Sequence, residues 1–149
     1  MVWLHKLRSC CRGEGRLRRT SRLSAINAKS STLHNNLGMS LFFAGDYRKA
    51  GEELIEALKL DPENPKIYNN LGLVFFKLKR YDDALEALKK GADDATAYNN
   101  LGYLFMADGN NAKAIEMLSQ ALEKKSAYYA KAQQNLDQAQ AGLEPEPAR

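Results

Sequence analysis

No stretch of this chain stays apolar for the roughly 18–20 residues that a membrane-spanning helix needs, and Met1–Leu7 is too short and too charged for the apolar core of a signal peptide. Proline is scarce, four in 149 residues, so little interrupts helices in a sequence dominated by Ala, Leu, Lys, Glu and Asn. The two cysteines, Cys10 and Cys11, are neighbours. Adjacent cysteines do not staple distant segments, so the fold does not depend on a disulfide. His5 and His34 are the only histidines, and no His/Cys/carboxylate group has metal-ligand spacing, so no metal or cofactor is expected. Gly13-Glu14-Gly15 is not a phosphate loop, because no strand precedes it. With no constellation for catalysis, the chain is not expected to be an enzyme.

Charge of one sign is missing from the start of the chain. Residues 1–30 carry eight basic residues (Lys6, Arg8, Arg12, Arg16, Arg18, Arg19, Arg22 and Lys29) against one acid, Glu14, a net +7. The whole chain carries +4, so the remainder is at −3. A basic arm of this kind offers nucleic acid or an anionic membrane a place to bind, since clustered Arg and Lys neutralise phosphates. Trp3 is its only aromatic, so no base-stacking surface accompanies the charge. The reading adopted is a disordered, solvated arm over 1–30, with the nucleic-acid or membrane adaptor as the alternative. Leu7-Arg8-Ser9-Cys10 faintly matches a lipoprotein cleavage box, but Arg8 and the missing apolar stretch argue against it. A cytoplasmic protein is expected, or a periplasmic or membrane-associated one if the true N-terminus differs.

What is abundant is repetition. Asn-Asn-Leu-Gly occurs at Asn35–Gly38, Asn69–Gly72 and Asn99–Gly102, 34 and 30 residues apart. Recurrence at this period is the mark of stacked helical repeats. Asn64 and Pro65 read as the N-cap and first residue of a helix. Tyr68, Leu71, Phe75 and Leu78 then share one helical face, and a second helix carries Ala84, Leu85 and Leu88. The same pair is expected at about 33–44 with 47–60, and at about 95–107 with 111–125. Gly38, Gly72 and Gly102 sit mid-helix, where glycine costs roughly 1 kcal/mol against alanine; close approach of the paired helix is the physical reason for keeping them. Asp93-Asp94 is expected to cap the third unit's first helix. His34 fills a slot for a large packed residue.

These residues together resemble the tetratricopeptide repeat (TPR) family over about 31–128. The first unit supplies His34, Leu37, Gly38, Leu41, Ala50, Leu54, Ala57 and Pro62 at the family's positions. The second supplies Tyr68, Leu71, Gly72, Phe75, Ala84 and Leu88, with Gly91 where Ala is usual. The third supplies Tyr98, Leu101, Gly102, Phe105, Ala114, Leu118 and Ala121. The second unit is four residues short, so its second helix is expected to end near Lys90 with Gly91 as a left-handed cap. Tyr129, Ala132, Leu136, Ala139 and Leu143 lie on one face of a last helix whose polar residues cover the other side, as a terminal cap requires. The expected architecture is an all-α helix-turn-helix solenoid of about seven helices. Repeats span 31–64, 65–94 and 95–128, the capping helix spans 127–143, and 144–149 is a disordered tail.

The resemblance also implies a function. In the family, the first helix of each pair lines a concave groove, and the matching positions here are Thr32, Asn36, Met39 and Phe43, then Lys66, Asn70, Leu73 and Lys77, then Thr96, Asn100, Tyr103 and Ala107. Asn36, Asn70 and Asn100 are expected to hold the main chain of an extended protein or peptide partner, because an amide both donates and accepts. Met39, Phe43, Leu73 and Tyr103 would supply apolar selectivity, and Lys66 and Lys77 would border the groove. The carboxylate clamp of chaperone-binding members falls on Asn35, Met39, Asn70, Thr96 and Asn100. It lacks its cations, so chaperone tails are not expected partners. The shortened middle unit followed by Ala95–Tyr103 is similar to bacterial TPR proteins of pilus assembly and secretion, which implies a scaffold or assembly role.

Overall fold

The computed structural model describes residues 20–125 and 129–142. Seven helices make up the described residues, with no strand among them: α1 Thr20–Phe43, α2 Tyr47–Leu60, α3 Pro65–Lys77, α4 Tyr81–Gly91, α5 Asp94–Ala107, α6 Asn111–Lys124 and α7 Ala130–Ala141. They fall into two compact units, one up to Ala84 and one from Leu85. No helix among the described residues is long and apolar enough to cross a membrane. Cys10, Cys11 and the tail 144–149 lie outside the described residues, as does the arm up to residue 19.

Helix starts follow local side-chain chemistry. Asp46, Asn64, Asp93 and Asn110 each accept a hydrogen bond from the backbone N–H of Lys49, Lys66, Thr96 and Lys113 respectively, filling one of the donors a helix leaves open at its start. Pro65 takes the first position of α3, as its fixed φ favours. The turns inside the three helix pairs share one geometry. The N–H of Asp46, Arg80 and Asn110 reaches back five residues, to the carbonyls of Leu41, Phe75 and Phe105, at 3.0, 2.9 and 2.8 Å. The residue before each closes the helix in the left-handed region, with φ +86° at Gly45, +60° at Lys79 and +78° at Gly109.

In the first unit α1 packs along α2, and α2 along α3. A Cβ on Gly38 would stand 2.9 Å from Leu54 Cγ and 3.1 Å from the Ala50 carbonyl oxygen. The glycine therefore marks a contact of helix on helix, as the repeat pattern implies. Leu54, Ile67, Leu71, Val74 and Phe76 are almost fully buried, and Ser31 Oγ donates to the Ala57 carbonyl from inside this core. In the second unit α5 packs on α6 and α6 on α7. Gly102 repeats the close approach, with Leu118 Cγ only 2.7 Å from where a Cβ would be.

Three expectations change. Helix α1 starts at Thr20 rather than near 33, so residues 20–30 of the expected disordered arm are helical; Ser, Ala, Leu and Asn there carry no stop signal, and charge alone does not prevent a helix. Gly91 is the last residue of α4, not a left-handed cap after it, and the left-handed glycines among the described residues are Gly45 and Gly109. The shortened unit is visible all the same, with 11 residues in α4 against 14 in α2 and in α6. The capping helix covers Ala130–Ala141, so it begins three residues later than expected, and Leu143 lies outside the described residues.

Candidate functional site

The outward side of a first helix is fixed by what its inner side buries. On α3, Ile67, Tyr68, Leu71, Val74 and Phe75 face the core, which turns Lys66, Asn70, Leu73 and Lys77 outward at helical spacing. Lys66 and Lys77 are exposed, while Asn70 and Leu73 are half-buried. On α1, Asn36 is exposed, Met39 is half-buried and Phe43 is 79% exposed. On α5, Asn100 is half-buried and Tyr103 is 53% exposed. All nine candidate residues thus keep side-chain surface open, and none is spent on the core.

The structure brings some of them together. Asn36 and Lys66 line one polar cleft in the first unit, of about 250 Å³, with Ser31, Thr32, Asn35, Asn64 and Ile67 as the other walls. Its Lys66 end sits at the start of α3, where Asn64 Oδ1 already accepts the Lys66 N–H at 3.1 Å while Asn64 Nδ2 donates to Asp61 at 2.7 Å. Phe43 closes α1 at the far end, its ring edge-on to Phe42 at 5.6 Å between centroids, with Phe42 in turn against Tyr47. Along α1 this face therefore changes from polar beside the start of α3 to aromatic at its end.

The three asparagines at the sixth position are not equivalent. Asn70 Nδ2 donates to Asn35 Oδ1 at 2.8 Å, so one of its two donors is engaged by the neighbouring helix. The Asn36 side chain accepts from Asn35 Nδ2 at a long 3.4 Å and in the open. Asn100 is approached by Asn99 Nδ2 at 3.5 Å. Sequence reasoning gave the first asparagine of each pair no task, yet Asn35 and Asn99 accept bonds across helices. Asn99, 1% exposed, accepts from Asn135 Nδ2 of α7 at 2.9 Å, the counterpart of the Asn35–Asn70 bond. The separations, 35 and 36 residues, are the signal that could have revealed it: Asn135 continues the repeat into the cap. In the middle unit Asn69 Oδ1 is buried with no partner among the described residues.

His34 departs from its expected packed role. Its side chain is 41% exposed and its Nδ1 lies 2.7 Å from Glu53 Oε2, so the slot holds a polar bridge between α1 and α2. Asp93 caps α5 as expected, and the backbone N–H of Thr96, followed by the Thr96 side chain, holds its carboxyl below the ordinary 3.8. Asp46 is likewise lowered, first by the side chain and then by the backbone N–H of Lys49. Both groups are structural caps.

Comparison with known proteins fits this geometry. A family profile described as tetratricopeptide repeat matches residues 35–93 and 85–130. Stress-induced-phosphoprotein 1 of Caenorhabditis elegans is 36% identical over 71 residues, covering 48% of this chain and 22% of that protein; the chain thus spans about a fifth of that relative's length. Among solved structures, the N-terminal domain of stress-induced protein-1 from C. elegans superposes with a TM-score of 0.55 at 19% identity, over 81% of this chain and 99% of that one. The first TPR of Spaghetti (RPAP3), bound to the HSP90 peptide SRMEEVD, gives 0.54 at 20% identity, over 78% and 94%. The Arabidopsis OM64 TPR domain gives 0.55 at 20%, over 78% and 99%. At these identities the likeness is one of fold. The repeated glycine contacts, the shared turn geometry and a profile match running from 35 to 130 lead to one conclusion: this chain belongs to the tetratricopeptide repeat family.

Proposed function

We propose that this protein is a non-enzymatic binding module that holds an extended partner segment against the outward face of its first helices. Asn36, Asn70 and Asn100 meet the partner's backbone, and Met39, Phe43, Leu73 and Tyr103 meet its apolar side chains. The observation that carries the reading is the pairing of open polar and open aromatic surface on α1. Asn36 is exposed beside Lys66 in a polar cleft, and Phe43, a large apolar side chain, is left 79% exposed. The similar first TPR of Spaghetti (RPAP3), bound to an HSP90 peptide, supports binding of a peptide segment.

Chaperone tails themselves are not the proposed ligand. Of Asn35, Met39, Asn70, Thr96 and Asn100, which stand at the positions of a carboxylate clamp of lysine, asparagine and arginine, only Asn70 agrees and no cation is present, and Asn35 and Asn70 bond to each other. The peptide SRMEEVD should therefore show no saturable binding in a calorimetric titration, and micromolar binding would return this protein to the clamp class.

The direct test is a pull-down with the wild type beside Asn36→Ala, followed by titration of the captured segment. The Asn36 side chain is exposed and its bond to Asn35 is long, so its loss should leave the melting temperature unchanged and weaken binding by about 1 kcal/mol, roughly fivefold. Equal affinity for the two proteins would remove Asn36 from the site. Binding through the basic arm is the competing reading. It predicts collapse of affinity between low and physiological salt, whereas binding on the helix face should survive.

A further inference from the structure

Gly51 is out of step with the later repeats. Ala50, Ala84 and Ala114 hold one repeat position, and the residue after each is Gly51 in the first repeat, Leu85 in the second and Ile115 in the third. The first repeat thus lacks a branched apolar side chain that its successors carry. Beside Gly51, between α2 and α3, lies a cavity of about 210 Å³ walled by Gly51, Ile55, Val74, Phe75 and Leu78. A Cβ on Gly51 would meet Val74 Cγ1 at 3.4 Å, so a side chain there would grow along the cavity wall. Arg48 and Arg80 complete the lining, which holds no carboxylate. None of the nine candidate residues of the outward face lines it.

We propose that this cavity is a second docking point for a protein partner, taking one aromatic side chain from a segment whose flanking residues are acidic. Volume sets the size of the occupant. An apolar cavity of about 150 Å³ takes one benzene, whereas pockets that enclose whole drug-sized ligands run to roughly 300–1,000 Å³. The space here suits one ring presented by a larger molecule, the form that interface anchors take. Charge sets the flanks. Arg80 is held in place: its Nε donates to Asp83 Oδ2 at 2.6 Å, its Nη2 pairs with the same oxygen, and its guanidinium lies over the Phe75 ring at 4.9 Å from the centroid. Asp83 therefore offsets the charge of Arg80 and leaves the Nη1 end of the fork. Asp46 is paired with Lys49 at 2.9 Å, and Glu52 does not line the cavity. Arg48 is exposed and makes no hydrogen bond or ion pair among the described residues. It is the lining cation without a paired carboxylate, and an acid beside the anchoring ring would meet it.

The test is an amide NMR titration of the full chain with the peptide acetyl-Asp-Glu-Phe-Glu-Asp-amide. Shifts should saturate and centre on Gly51, Val74 and Leu78. Replacing the peptide's Phe with Ala, or its acids with Lys, should each weaken binding about fivefold or more. On the protein, Gly51→Leu supplies the side chain of the later repeats, fills the space and should abolish saturation with helical circular dichroism intact. Gly51→Ala, a smaller plug, gives the same comparison if leucine lowers stability. Arg48→Glu should weaken binding more than Arg48→Lys does. Asn36→Ala should leave this titration unchanged, which separates it from binding on the outward face. A wild type that does not saturate would overturn the proposal, as would equal affinity in Gly51→Leu and Gly51→Ala. Shifts confined to Lys66, Asn70 and Lys77 would place the peptide on the outward face and overturn it too. Saturation by free phenylacetate but not by the peptide would make the cavity a small-ligand site and overturn it equally.

Discussion

Lys79 holds a left-handed backbone, φ +60°, at the turn position where Gly45 and Gly109 stand in the other pairs. A Cβ there crowds the following carbonyl at roughly 1–2 kcal/mol, partly offset because glycine loosens the unfolded chain. Lys79→Gly should therefore raise stability by about 0.5–1 kcal/mol, seen as a higher urea midpoint at unchanged slope; a lower midpoint would mean that Lys79 has side-chain contacts outweighing the strain. This residue shows how sequence reading misses single conformations. Two of the three turns announce themselves with glycine, and the third forms the same hydrogen bonds without it. The roles of Asn35 and Asn99 were illegible for a related reason. Their partners lie on another helix some 35 residues away, and nothing local distinguishes an amide that will bond across helices from one left in water.

Within an element, the repeated glycine sets two tendencies against each other. Alanine at a helix interior gains roughly 1 kcal/mol over glycine. At Gly102 the new methyl would sit 2.7 Å from Leu118 Cγ and 3.2 Å from the Ala114 carbonyl oxygen. A branch-point carbon with backbone behind it does not move aside cheaply, and such overpacking costs about 1–3 kcal/mol. Gly102→Ala should thus destabilise by about 1–2 kcal/mol net in thermal or urea unfolding, and a stabilised variant would show that α5 and α6 part easily. Helix pairing was legible from sequence because the small residues that allow it recur at a fixed offset. Helix ends were legible only where a side chain makes the cap, as at Asn64 and Asp93. Thr20, where α1 begins, carries no periodic apolar signal before it, and Gly91 continues its helix because glycine permits a left-handed turn without requiring one. Of the candidate site, the positions came from the family resemblance, whereas the engagement of Asn70 depends on a second helix that no local signal locates.

For the molecule as a whole, acid sensitivity should trace to its caps. Asp46 and Asp93 are held below the ordinary carboxyl value of 3.8 by groups at the starts of their helices. A lowered native value means that their contribution is complete above the unfolded value and fades as pH falls through the folded one. Asn is as good a cap as Asp but does not titrate. Asp46→Asn/Asp93→Asn should therefore flatten the acid limb of a stability-against-pH curve between about pH 5 and 2, and an unchanged limb would assign it to other carboxylates. The second unit holds one more property of this scale in the buried Asn99–Asn135 bond. Were α7 to settle one helical turn out of place, both amides would be buried unpaired, at about 1–3 kcal/mol each, although the alanines and leucines around them would pack nearly as well. The pair acts as a key in a lock with many similar slots: it makes mis-threaded forms of the last helix scarce during folding, a task that apolar side chains, being interchangeable, cannot perform.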